Sequence, residues 1–191
     1  MVGSSKCSNL SIADDYFHDS EDLLKRYNLT EEFFKNTKSK RMKLFVDLRI
    51  AYECVLKSIF VYFYETDADR KEISKAVLKM SHDLLKLESE VKKKLSPALQ
   101  VEIDHFSNDL KQLPIGLRYR LDVMDFLDAR EDLYRLTIGD DDWLSRYYEL
   151  IKSLTEFVDR KLSAESAVGP LSDFVSFEEA IKPVDNKYIK N

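Results

Sequence analysis

Between residues 44 and 63 apolar side chains recur in steps of three and four, as Leu44, Leu48, Tyr52, Val55, Ile59 and Phe63, which is the pattern of one buried helical face. Arg49, Glu53 and Lys57 repeat every fourth position on another face, the spacing at which opposite charges on neighbouring turns pair as a solvated ladder. No Gly or Pro interrupts residues 42–64, so the pattern predicts a rod of roughly 35 Å at about 1.5 Å per residue. The rest of the chain is organised around it.

Upstream, residues 1–10 are small and polar and offer little apolar surface to offset ordering entropy, so a disordered N-terminus is expected. Ser11, Ser20 and Thr30 each stand where a hydroxyl can cap a short helix, giving short extra helices from residue 11. Residues 36–41 are polar and basic and predict a loop or solvated turn before the long helix. Downstream, Ile73, Val77 and Met80 define a helix over 70–80, and Ser81-His82-Asp83 opens another, with Ser81 as cap and Leu84, Leu87 and Val91 on its face. Ser96-Pro97 starts the next, which Pro114 and Gly116 stop. A helix over 125–137 follows, then a turn at Ile138-Gly139-Asp140. Asp140 or Asp141 caps a last long helix carrying Trp143, Tyr147, Leu150, Ile151, Leu154 and Val158. The expected fold is all-α, an up-and-down bundle of four to five long helices forming one domain over 11–163. Residues 164–191 read as a C-terminal tail that docks on the bundle or hangs free, with a short helical candidate at 177–181.

Composition agrees with that class. The 191 residues are 44% hydrophobic with only four Gly and four Pro, enough for a core and too few turn residues for an all-β fold. A net charge of −5 makes the whole chain a poor non-specific nucleic-acid binder, and the basic stretch 35–43 lacks the aromatic interleaving that stacks RNA bases. Cys7 and Cys54 supply neither a disulfide framework nor a metal ligand set, and Asp140-Asp141-Asp142 lacks the spacing of a calcium loop. No metal and no cofactor are expected. There is no signal-peptide core and no run of about 18 apolar residues, so the expectation is a cytoplasmic protein with no membrane segment.

Candidate chemistry gathers at few places. His82 and Asp83 stand at a helix start, where first-turn amides, an imidazole and a nearby Arg can hold an anion; the same residues also make an ordinary capped helix end. Arg118, Tyr119 and Arg120 form either the opposite wall of that pocket or a clamp in which the arginines pair with Asp83 or Glu53. Glu53 itself is either an inward carboxylate or a rung of the solvated ladder. Ser81-His82-Asp83 is contiguous, which is the wrong geometry for a catalytic triad.

Three pieces in this order resemble the HEPN superfamily of helical bundles: the long helix around Leu48-Arg49-Ile50-Ala51-Tyr52-Glu53-Cys54-Val55-Leu56-Lys57, the Lys79-Met80-Ser81-His82-Asp83-Leu84-Leu85-Lys86-Leu87 block, and Leu117-Arg118-Tyr119-Arg120, where the family has an Arg-Tyr-Pro turn. The resemblance spans roughly residues 41–162 and departs from the family pattern at Arg120, where the Pro would be. It implies a homodimer through the long and last helices. It also implies RNA, nucleotide or protein partners, in prokaryotic stress, phage-defence or toxin–antitoxin systems. Many such proteins are ribonucleases using Arg and His four to six residues apart, but the histidines here are His18, His82 and His105, and neither Arg146 nor Arg160 is followed by one. Without that imidazole the usual proton carrier is missing. The expectation is therefore a non-catalytic binding or regulatory protein; a divergent RNase or nucleotide-handling enzyme using His82, Asp83 and Arg118 is one alternative, and a protein–protein adaptor with an exposed apolar groove is another.

Overall fold

A computed structural model describes residues 4–64, 68–80, 82–113 and 120–168, with the backbone alone at 4–8, 120–122 and 166–168. Among the described residues there are eight helices: α1 (Ser4–Phe34), α2 (Lys38–Tyr62), α3 (Arg70–Met80), α4 (Leu84–Lys92), α5 (Pro97–Gln112), α6 (Arg120–Ala129), α7 (Glu131–Leu136) and α8 (Asp141–Val168). They form an all-α bundle in which α2 is the central rod. α1 packs along it as the other arm of a hairpin, and α8 runs parallel to α2, its Trp143, Tyr147 and Phe157 meeting Phe45, Tyr52 and Phe63 in turn.

The expected short N-terminal helices are one helix, already formed at Ser4, and the residues read as caps do other things. Ser20 is fully buried; its hydroxyl donates to the Ala51 carbonyl at 3.0 Å and lies 3.4 Å from the Thr155 hydroxyl. Thr30 donates back to the Arg26 carbonyl at 2.8 Å, one turn upstream within the helix. Burial of Phe17, Leu24 and Tyr27 holds the helix continuous, which shows tertiary packing overriding local start signals. Within the stretch expected to be disordered, Asn9 is buried and its Nδ2 donates to the Tyr64 carbonyl at 3.2 Å.

Residues 36–41 are not a solvated turn either. Only 35–37 lie between helices, and Arg41 is buried, its guanidinium bonded to the Ile138 carbonyl and 2.6 Å from the Asp141 carboxylate. Arg41 therefore ties the start of α2 to the start of α8. The turn that presents Ile138 needs Gly139, because a Cβ there would lie 2.8 Å from both the Tyr134 ring and the Tyr134 carbonyl oxygen.

Other boundaries moved for identifiable reasons. Asp83 caps α4, its carboxylate accepting from the Lys86 amide at 3.1 Å; Ser81, expected in that role, lies outside the described residues. The helix expected over 125–137 is two, parted at Arg130, whose φ of −140° and ψ of 41° are not helical. Asp140 caps α8 by accepting from the Asp142 amide at 3.0 Å, as one of the two residues expected there. α8 runs through Ser163 to Val168, since nothing before Gly169-Pro170 breaks it, so the expected tail begins later, and residues 169–191 lie outside the described residues.

From Leu44 to Tyr64 no residue is exposed. The outer face of α8 is charged, with Arg146 against Glu102 and Lys152 against Glu149. Much of the aromatic surplus that suggested a homodimer through these two helices packs inside one chain, Phe45, Tyr52 and Phe63 against Trp143, Tyr147 and Phe157. No helix among the described residues is long and apolar enough to cross a membrane.

Candidate functional site

Glu53 and His82, named separately from the sequence, are brought together. The His82 Nδ1 lies 2.9 and 3.0 Å from the two Glu53 carboxylate oxygens, and the Lys57 ammonium is 2.6 Å from the nearer of them. Glu53 and Lys57 are nearly buried, at 12% and 14% exposure, whereas His82 is 57% exposed. The sequence-level ladder is therefore only half present. Lys57 does pair with Glu53, but Arg49 donates to the Leu113 carbonyl at 2.9 Å, closing the end of α5, and the place next to Glu53 goes to His82 from the α3–α4 connection. With the carboxylate accepting at Nδ1, the neutral ring presents its lone pair at Nε2, which has no partner among the described residues. Asp83, the other half of the expected anion site, is engaged as the α4 cap. Arg118 and Tyr119 lie outside the described residues, and Arg120 begins α6 with only its backbone described.

Beneath this pair lies a buried polar network that periodicity did not reveal. Glu88, 3% exposed, accepts from the Tyr52 hydroxyl at 3.0 Å and the Ser107 hydroxyl at 2.5 Å, joining α2, α4 and α5 inside the core. Burial pushes its carboxyl above the ordinary range, partly offset by those two hydrogen bonds and the Lys92 charge. Its position in α4, one residue after the apolar Leu87, was a faint clue that it faces inward. Burial, with Asp19 and Glu53 adding to it, pushes the Cys54 thiol up to about 12, which disfavours the thiolate at neutral pH. Among the described residues no group of His, Cys, Asp and Glu has the arrangement of a metal site.

A groove of about 1050 Å³ opens at the far end of α2. Its floor is Phe60, Phe63 and Tyr64 with Ala76 and Met80, and Lys75, Lys79 and Lys86 stand around it. A second depression of about 390 Å³ shares the three aromatics and extends to Val91 and Lys94. The charges are unequal in availability. Glu72 is taken up in a reciprocal cap with Asp69, its amide donating to the Asp69 carboxylate at 2.8 Å, and Glu90 lies 3.9 Å from Lys93. Lys75 and Lys79, one turn apart on α3, have no ionic partner among the described residues. The floor is also pre-formed: Phe63 stacks on Phe157 at 6.4 Å, and the Lys94 ammonium sits 5.5 Å from its centroid. From the sequence, Phe63 is the end of a core stripe, and Phe60 and Tyr64 fall outside it. The available clue was Lys75 and Lys79 at four-residue spacing, opposite the buried Ile73 and Val77.

Comparison of the chain with protein-family models, with curated proteins and with solved structures gives no match.

Proposed function

We propose that the protein is a non-catalytic, HEPN-like binding or regulatory protein whose working surface is the groove at the end of α2, and that this groove receives an acidic amphipathic helix of a protein partner. The observation that carries this reading is an apolar floor of Phe60, Phe63 and Tyr64 beside Lys75 and Lys79, which have no ionic partner among the described residues. Such a surface matches a helix with apolar anchors at three- and four-residue spacing and carboxylates beside them. The prokaryotic stress, phage-defence or toxin–antitoxin setting comes from the family resemblance alone.

The test is fluorescence anisotropy with two model amphipathic 18-residue helices, one acidic and one basic, titrated with the full chain at low and moderate salt. The acidic peptide should bind, more weakly as salt rises, and should lose at least about tenfold in affinity to a Lys75→Glu/Lys79→Glu variant. Equal binding of both peptides, or no effect of the double variant, would overturn the proposal.

The Glu53–His82 pair favours a second reading, since a carboxylate holding one imidazole nitrogen leaves the other poised as a general base. That reading predicts metal-independent cleavage of single-stranded RNA that disappears in His82→Ala. The binding reading predicts no cleavage by either protein in the presence of chelator.

A further inference from the structure

The groove has a candidate occupant in the chain itself. α8 ends at the same end of the bundle: Leu162 packs against the buried cluster that holds Val61 and Ile73, and the Tyr62 hydroxyl donates to the Glu165 carboxylate at 3.3 Å. Phe60 and Tyr64, which belong to that same cluster, line the groove. The chain therefore leaves the bundle beside the groove, and Gly169-Pro170 is a sequence signal for turning away from the helix axis. From Val168 to Phe174 is a span of at most ~20 Å of extended chain, enough to come back over the end of α2.

The residues it delivers there have the complementary chemistry. In residues 173–181, Asp-Phe-Val-Ser-Phe-Glu-Glu-Ala-Ile, the apolar Phe174, Phe177 and Ile181 fall at positions that share one face of a helix. Asp173, Glu178 and Glu179 give the segment three acids and no base. The facing rim is Lys75, Lys79, Lys86 and Lys94, its two glutamates being engaged as described.

We infer that residues 173–181 dock in the groove between the end of α2, α3 and α4, in cis, with Phe174, Phe177 and Ile181 on the aromatic floor and the carboxylates on the lysine rim. This rests on the proposed binding role of the groove and adds its regulation: the segment is a built-in competitor that a partner helix must displace. Covalent attachment makes its local concentration millimolar, so even a weak match holds the groove against a dilute partner.

Two readouts on the full chain separate this inference from the reading beneath it. In the first, brief chymotrypsin digestion monitors cleavage after Phe174 and Phe177. Docking predicts slow cleavage in the wild type and at least about tenfold faster cleavage in Lys75→Glu/Lys79→Glu at low salt; equal rates would overturn the inference, and protection that appears only at high protein concentration would replace docking in cis by exchange between copies. In the second, the acidic model helix is titrated into a Phe177→Asp/Ile181→Asp variant, whose changes fall outside the described residues. Self-occupation predicts binding at least about tenfold tighter than to the wild type. Equal binding to both would overturn the inference and leave the binding role standing. Failure to bind either, with chymotryptic protection intact, would overturn the partner-binding role and leave the docked segment.

Discussion

In the first half of α2, Phe45 and Tyr52 meet Trp143 and Tyr147 of α8 at ring separations of 5.5 to 6.3 Å, Tyr147 in turn meets Phe106 of α5 at 5.2 Å, and all five rings are buried. In its last turn Phe60, Phe63 and Tyr64 are the same kind of side chain on the same rod, yet they floor an open groove. The difference lies in the cover. α5 supplies Phe106 and α8 supplies Trp143 and Tyr147 over the first half, whereas at the last turn α8 meets Phe63 through Phe157 and the open side is faced by the short α3 and by α4. Aromatic richness alone therefore does not separate core from site; the length of the neighbouring helix does.

The largest effect should come from breaking the sealed half. Phe106→Ala removes a fully buried ring and should cost about 3–5 kcal/mol in urea unfolding, while Tyr64→Ala at the groove should cost no more than about 1 kcal/mol. Equal losses would erase the distinction. Cys54 tests the seal between α1 and α2 from another side. With its thiol pushed up to about 12, alkylation by iodoacetamide at about pH 8 should be at least about a hundredfold slower in the native protein than in urea, read by mass. Rapid native labelling would show that α1 does not cover it.

A smaller effect concerns Glu88 beneath the aromatic cluster. Its carboxyl is raised in the folded state by burial, against its hydrogen bonds to Ser107 and Tyr52, so the fold holds the proton more tightly than the unfolded chain does. That contribution is complete below the unfolded value of about 4.3 and is lost as pH rises through the folded one. Glu88→Gln, which keeps an acceptor for Tyr52, should therefore gain stability relative to the wild type as pH increases across that window. A relative loss on raising the pH would mean that the carboxylate, not the acid, is the form the core prefers.

How far these features were legible depends on how local their causes are. The 70–80 helix, the Ser96-Pro97 start and the Asp140 cap follow from near neighbours and stand where the pattern puts them. Ser20 and Arg41 carry surface-type signals, a cap and a basic turn, but are buried by helices far along the chain. Glu53 and His82 were each visible as chemistry, and their pairing was not, because 29 residues separate them and the long-range fold brings them together. The groove was hidden for a related reason. An apolar stripe tells which face of α2 is covered and is silent about which turn loses its cover.

The central claim is that the open end of α2 is a binding surface for an acidic amphipathic helix. It is met most directly by amide chemical shifts of the ¹⁵N-labelled full chain during titration with the acidic model helix. The account predicts shifts concentrated at Phe60, Phe63, Tyr64, Lys75, Lys79 and Lys86. Shifts centred instead on the exposed Leu29 and Phe33 of α1, or none at all, would contradict it.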